Sequence, residues 1–202
     1  MSARPTSLSV LDAIFTRRSV RTYDRRQLDD ATIQSLLDAA VAAPTAMHAE
    51  PWRFVIVQDP AVLQKISDRA KASWLSEARK YQDLHTTTSR AGGGFAERLA
   101  DPLFSIFYDA GTLIVICGKS GEHFVEADCW LAAENLMLAA CGLGLGTCCI
   151  GSALPALNAP EIKAQLHIPT DVTAFAPIVV GIPAGNAAES TRTSPSILFG
   201  KK

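Results

Sequence analysis

The chain has 202 residues, a formal net charge of -1, 48% hydrophobic residues and 19% charged ones. That balance fits a folded protein with one sizeable core and not a disordered chain, and it gives no reason to expect a nucleic-acid partner, because no basic tract with interleaved aromatics occurs. The most apolar runs, LIVIC and APIVVGI, are far short of a membrane span, and the N-terminus has no continuous apolar segment resembling a signal peptide. Five cysteines are an odd number in a chain of a size that needs no disulfide scaffold, so a cytoplasmic location is expected.

In chain order, Leu8 to Phe15 reads as a short helix and Arg17 to Arg26 as a polar, basic link. DDATIQSLLDAAVAA supplies a second helix, with Asp29 or Asp30 as its cap and Ile33, Leu36, Leu37 and Ala40 along one stripe, stopped by Pro44. RFVIVQ, Arg53 to Gln58, reads as a buried strand, since its apolar residues run together. Another helical region opens after Pro60. Beyond Lys80, the Thr86 to Ser89 cluster and Gly92, Gly93 and Gly94 argue against one continuous helix. Residues 74–103 are therefore expected to form a lid, or merely a variable surface excursion, between short helices.

TLIVICG returns to strand. Glu122 to Ala140 is the longest helical candidate, ending at Gly142 as a C-cap would. A short turn or strand around Leu145 to Ile150, a helical segment around Ala159 to Gln165 and the strand APIVVGIP follow. Residues 184–202 form a small and polar C-terminal extension with no core of its own, loose or packed on something else such as a partner subunit. Three confident strands and at least three substantial helices make residues 1–202 one domain, α+β or α/β with a small central sheet.

The sharpest basic feature is RRSVR. In extended backbone Arg17, Ser19 and Arg21 face one side while Arg18 and Val20 face the other. Guanidinium forks and a hydroxyl suit a phosphate; a solvated link, helped by Arg25 and Arg26, is the plainer alternative. CGLGLGTCCIG places glycines at 142, 144 and 146, which fits no dinucleotide fingerprint and follows a helix instead of joining a strand to one. The cysteines read as buried thiols. His48, His85, His123 and His167 lack metal-ligand spacing, so no metal site is expected. Asp128 and Glu134 read most simply as capping or surface residues of the long helix.

Three segments in order, RRSVRTY at residues 17–23, APTAMHAEPWRFVIV at 43–57 and ENLMLAACGLGLGTCCIG at 134–151, resemble the FMN-dependent nitroreductase family over nearly the full chain. The resemblance implies an α+β fold, with a small, mostly antiparallel sheet flanked by helices and the C-terminal segment exchanged across a homodimer. It implies FMN at the dimer interface, with Arg17, Ser19 and Arg21 on the phosphate and ribityl chain, Arg18 contributing by backbone or side chain, and Arg192 as a late phosphate arginine. Pro44, Thr45, Ala46 and His48 would form the loop that the partner lays along the flavin ring. Ile150 and Gly151 would form the turn whose backbone N–H approaches its redox edge.

The implied activity is ping-pong hydride transfer from NADH or NADPH to nitroaromatic, quinone-like or related electron-poor acceptors. No catalytic side chain is implied, because solvent can supply the proton. His48 and Glu50 stand where many relatives have Asn and Gln, in a form closer to the dehalogenating branch, and Cys149 stands where many have Trp. A reductive dehalogenase-like member, or a flavin-binding or flavin-transfer protein with little turnover, are the alternatives these departures leave.

Overall fold

The computed structural model describes residues 8–84, 93–185 and 192–199. His85, the Thr86 to Ser89 cluster, Gly92, and residues 186–191 and 200–202 of the extension lie outside the described residues.

Four strands form one sheet in the order β1-β2-β4-β3, and every pairing is antiparallel. These are β1 (Arg53–Val57), β2 (Thr112–Lys119), β3 (Gly146–Cys149) and β4 (Val172–Gly181). The unbroken apolar run of β2 has its explanation in this order: the strand is central, and Leu113 through Cys117 are all 0% exposed. Successive side chains alternate between faces. Leu113, Val115 and Cys117 thus enter one core layer with Ile66 and Leu157, while Ile114 and Ile116 enter the other with Leu36 and Leu136. Opposite them, Ile116 faces Ala176 and Cys117 faces Ala174, which leaves Phe175 as the extra residue of a bulge in β4.

Helix α1 (Val10–Thr16) starts at a capping box, in which Ser9 accepts from the Asp12 N–H and Asp12 accepts from the Ser9 N–H. Helix α2 (Asp30–Val41) is capped by Asp29, not Asp30, and buries Ile33, Leu36 and Ala40. It ends at Val41, ahead of Pro44. Helix α3 (Pro60–Leu84) is longer than its composition suggests and α4 (Gly93–Ala100) follows the undescribed stretch. The helical reading of AVLQKISDRAKASWLSEAR, residues 61–79, is met, and the helix runs five residues further, to Leu84.

Helix α5 (Val125–Gly142) begins after Phe124, which holds a left-handed φ of 67°, and not at Glu122. Its expected C-cap, Gly142, is the last helical residue; the left-handed glycine is Gly144, with φ 74°, and Leu145 donates back to the Ala140 carbonyl at 2.8 Å. The buried face of α5 is built from small residues, Ala132, Ala133 and Ala140, around Leu136 and Met137. Small side chains let α2 approach, and the Asn135 amide pins the two helices by donating to the Ala39 carbonyl at 3.2 Å. Short helices α6 (Leu154–Leu157) and α7 (Pro160–Gln165) cover the other face beside α3.

Candidate functional site

The basic link is extended and lies along the free edge of β3. Ser19 forms a parallel bridge with Thr147, the Val20 N–H donates to the Thr147 carbonyl at 2.9 Å, and Tyr23 forms a further bridge to Pro183. Val20 is buried, while Ser19 and Arg21 are exposed and Arg17 is half-buried, so the alternation read from RRSVR holds. Gly146 is needed beneath it, since an added Cβ would stand 2.7 Å from Val20 Cγ2. Tyr23 fixes the far end by donating its hydroxyl to the Val20 carbonyl at 2.9 Å. Burial holds that phenol protonated by raising its pKa.

Arg17 and Arg21 both lie close enough to Cys148 to favour its thiolate, as does the Ser19 hydroxyl, against the dominant effect of burial. Arg17 also acts on Cys149 and sits 3.9 Å from Glu134, a half-exposed partner that contributes little at that distance. Arg18 behaves differently. Its guanidinium turns back on α1, donating to the Phe15 carbonyl at 2.7 Å and the Arg17 carbonyl at 2.8 Å. What remains for a ligand is a row of two guanidinium groups and one hydroxyl beside β3.

At the end of β3 the chain enters a tight turn. The Ile150 N–H is committed to the Pro177 carbonyl at 2.9 Å. The donor the turn can offer is therefore that of Gly151, which is exposed and has nothing within 4 Å of where a Cβ would stand. A flat ring can approach such a backbone closely. Trp74 of α3 supports the turn from behind by donating its indole N–H to the Ser152 carbonyl at 3.1 Å.

The 44–50 loop is a separate piece. Met47, His48 and Glu50 hold φ values of 53°, 55° and 43°, and Met47 is 99% exposed. The Ala46 N–H donates to Asp128 Oδ1 at 3.2 Å, and the Glu50 N–H to Thr45 Oγ1 at 3.4 Å. Asp128 is 4% exposed, so it is neither a surface residue nor a cap; it is the carboxylate that sequence reasoning set aside. No hydrogen bond or ion pair joins this loop to the Arg17–Arg21 row among the described residues, and Arg192 is exposed in the extension.

All five cysteines are free thiols; Cys117, Cys129 and Cys148 are buried and Cys141 and Cys149 half-buried. Burial pushes Cys117 and Cys129 up to about 12 and Cys149 to about 11 from the ordinary 9.0. Between those values the folded chain holds protons that the unfolded chain releases. The resulting stability is complete below about pH 9 and is lost as pH rises toward the folded values. The urea midpoint of unfolding is expected to fall steadily from about pH 8.5 to about pH 10.5; a midpoint that stays flat would show that the thiols do not contribute.

The model of the Nitroreductase family matches residues 14–182. The chain belongs to the nitroreductase family. This nitroreductase-family chain is 32% identical over 174 residues to a candidate NADH dehydrogenase/NAD(P)H nitroreductase of Archaeoglobus fulgidus, covering 86% of this chain and 84% of that protein. A relative of the same description from Methanothermobacter thermautotrophicus is 29% identical over 190 residues, with 92% and 83% covered. The fold superposes on a nitroreductase of Bacteroides fragilis with bound FMN at a TM-score of 0.78 and 27% identity, over 96% of this chain and 100% of that one.

Proposed function

We propose that this chain is an NAD(P)H-dependent FMN oxidoreductase that works as a homodimer and reduces nitroaromatic, quinone-like or related electron-poor acceptors. The general activity is that of the nitroreductase family to which the chain belongs. The observation that carries the reading to these residues is the row Arg17, Ser19, Arg21 laid beside β3 by the Ser19–Thr147 bridge, the strand whose far end leads into the exposed Gly151. A guanidinium fork binds a phosphate bidentately and a hydroxyl adds a third bond. The residues fit the group at both ends. FMN, when bound, supplies the electron chemistry by taking a hydride from NADH or NADPH and passing it to the acceptor.

The chain's own share is binding, orientation and electrostatics. Arg17 and Arg21 would hold the phosphate end, where their charge offsets that of the phosphate. The exposed Gly151 N–H would be a fixed backbone donor for the ring, favouring the charge that reduction brings. Arg18 serves through its backbone, because its side chain is occupied at the end of α1. Protons come from solvent.

The site is open in one chain, and several surfaces favour a second copy. Helix α1 exposes Val10, Leu11 and Phe15 at 73%, 64% and 72%, a patch that a soluble monomer rarely leaves uncovered. The extension carries Ile197, Leu198 and Phe199, exposed at 77%, 100% and 98%. A cleft of about 440 Å³ reaches from β1 past Cys117 of β2 to Val172 of β4 and the 166–169 turn. Its apolar lining suits the side chains of a tail exchanged between subunits. In this assembly Pro44, Thr45, Ala46 and His48 lie on the partner's flavin, and Arg192 joins the phosphate site. The five free thiols suit a reducing compartment, and we place the protein in the cytoplasm.

The test is anaerobic titration of the FMN-loaded protein with NADH and NADPH in turn, followed by nitro, quinone and halogenated acceptors, with light scattering of the same sample. Bleaching of the flavin band and reoxidation by an acceptor are expected from a dimer. FMN that binds but is not bleached by either nucleotide would make the protein a flavin carrier, and failure to bind FMN would end the proposal.

A further inference from the structure

We infer that the buried carboxylate of Asp128 is the positioning residue of the 44–50 loop, and that through this loop it acts on the flavin of the other subunit. The inference rests on the shared-site reading proposed above.

The loop is strained. Non-glycine residues rarely adopt left-handed backbone, and here Met47, His48 and Glu50 all do so within residues 47–50. Such a stretch persists only where its surroundings over-determine it. Two of its bonds are internal: the Ala49 N–H donates to the Ala46 carbonyl at 3.0 Å, and the Glu50 N–H to Thr45 Oγ1 at 3.4 Å. The bond that ties the turn to another element is Ala46 N–H to Asp128 Oδ1 at 3.2 Å.

Asp128 is costly where it stands. At 4% exposure it lies among Val125, Cys129 and Ala132, and a carboxylate is tolerated there only when hydrogen-bonded. Its place in the early turns of α5 lets the helix N-terminus offset part of that cost. The bond falls just where the chain turns outward, so that the next residue, Met47, is 99% exposed. Asp128 therefore aims residues 45–48 away from the body of its own chain. A loop aimed in this way serves a neighbour's ligand, and a defect at Asp128 should appear in trans.

That consequence gives a complementation test. Asp128→Ala is expected to weaken FMN binding by roughly ten- to hundredfold, the range of a lost charge-assisted hydrogen bond. Asp128→Asn keeps an acceptor oxygen and should stay within about threefold of the parent. Heterodimers are then made from one Asp128→Ala subunit and one Arg17→Ala/Arg21→Ala subunit, and FMN stoichiometry and affinity are read by flavin fluorescence. Action in trans places both defects in one site and leaves the other whole, so one FMN per heterodimer should bind with parental affinity. Two weakened sites, each showing the defect of one variant, would overturn the inference, as would unchanged FMN affinity in Asp128→Ala.

Should Asp128→Ala not fold, Ala46→Pro deletes the same bond from the loop side. Thr45 is extended and Ala46 opens a turn of 3-10 helix, a position that accepts proline. It should reproduce both the loss and the complementation, and parental behaviour in Ala46→Pro would count against the tether. A parent dimer that binds no FMN would bring down the shared-site reading itself, an outcome distinct from the others.

Discussion

Changing Arg17 and Arg21 together to alanine will cost the protein its FMN. Each guanidinium offers charge-assisted hydrogen bonds worth about 1.5–3 kcal/mol. Losing both should weaken binding by about two to four orders of magnitude. Fluorescence titration of the apo-protein measures this directly. The control is Arg25→Ala/Arg26→Ala, which removes the same formal charge a few residues away. Arg25 is engaged with Asp109 at 2.8 Å and Arg26 with Asp24 at 2.9 Å, so that pair should leave affinity within about threefold. Equal losses in the two double variants would mean that only net charge matters and that the row beside β3 is not a cradle. Arg17→Lys/Arg21→Lys should fall between, keeping the charge but not the planar fork.

The second large effect is on stability. Leu136 is 0% exposed and sits in the middle of α5, among Ala132, Ala133 and Ala140. Truncation to alanine opens a cavity that these small neighbours cannot fill. The expected loss is about 3 kcal/mol, within the usual range for a leucine at a site that collapses poorly. For a chain of this size that corresponds to a fall in Tm of roughly 10 °C. The comparison must be made on apo-protein at one fixed concentration, because flavin binding adds apparent stability, as would the proposed association of two chains. A loss under about 1 kcal/mol would mean that α5 repacks readily and that the tight α2–α5 layer is not what holds the sheet's second face.

How much of this was legible in the sequence depended on the distance over which each signal acts. The alternation in RRSVR was readable because side-chain direction in an extended strand is a local property, and burial of Val20 between exposed Ser19 and Arg21 bears it out. The apolar runs of β2 and β4 marked strands, but the run of β1, read as buried, lies at the edge of the sheet, where Ile56 is exposed and only Val57 is buried. The end of α5 at Gly142 was read correctly, but the cap is Leu143 and the turn closes at Gly144, because Gly142 and Gly144 are equally good candidates in composition. Only the backbone distinguishes them, with a left-handed φ at Gly144. The last five residues of α3 were missed because the Thr and Gly clusters that follow drew the expected boundary back to Lys80.

Asp128 was the consequential miss. Its hydrogen-bond partner lies 82 residues earlier in the chain. No periodicity or spacing rule connects two such positions. In the sequence a carboxylate near the start of a helix is indistinguishable from a helix-dipole partner. The one local hint was the mismatch of an acidic residue in an otherwise apolar helix face. Arg18 was ambiguous for a related reason: five arginines in a short link look alike until α1 presents carbonyls to one of them.

The order β1-β2-β4-β3 also has a bearing on how the chain is made. The strand synthesised last, Val172–Gly181, is a central one, and its neighbours β2 and β3 have no other way to join. Until β4 has emerged, β2 has one edge unpaired along its apolar stretch Leu113 to Cys117, and the two core layers have no common floor. Closing that gap means bringing together segments some 60 residues apart, an entropic cost that slows folding and lengthens the life of sticky intermediates. Folding of this domain therefore waits on β4. Chains interrupted before residue 172 are expected to be substrates for chaperones and proteases, not partly working enzymes.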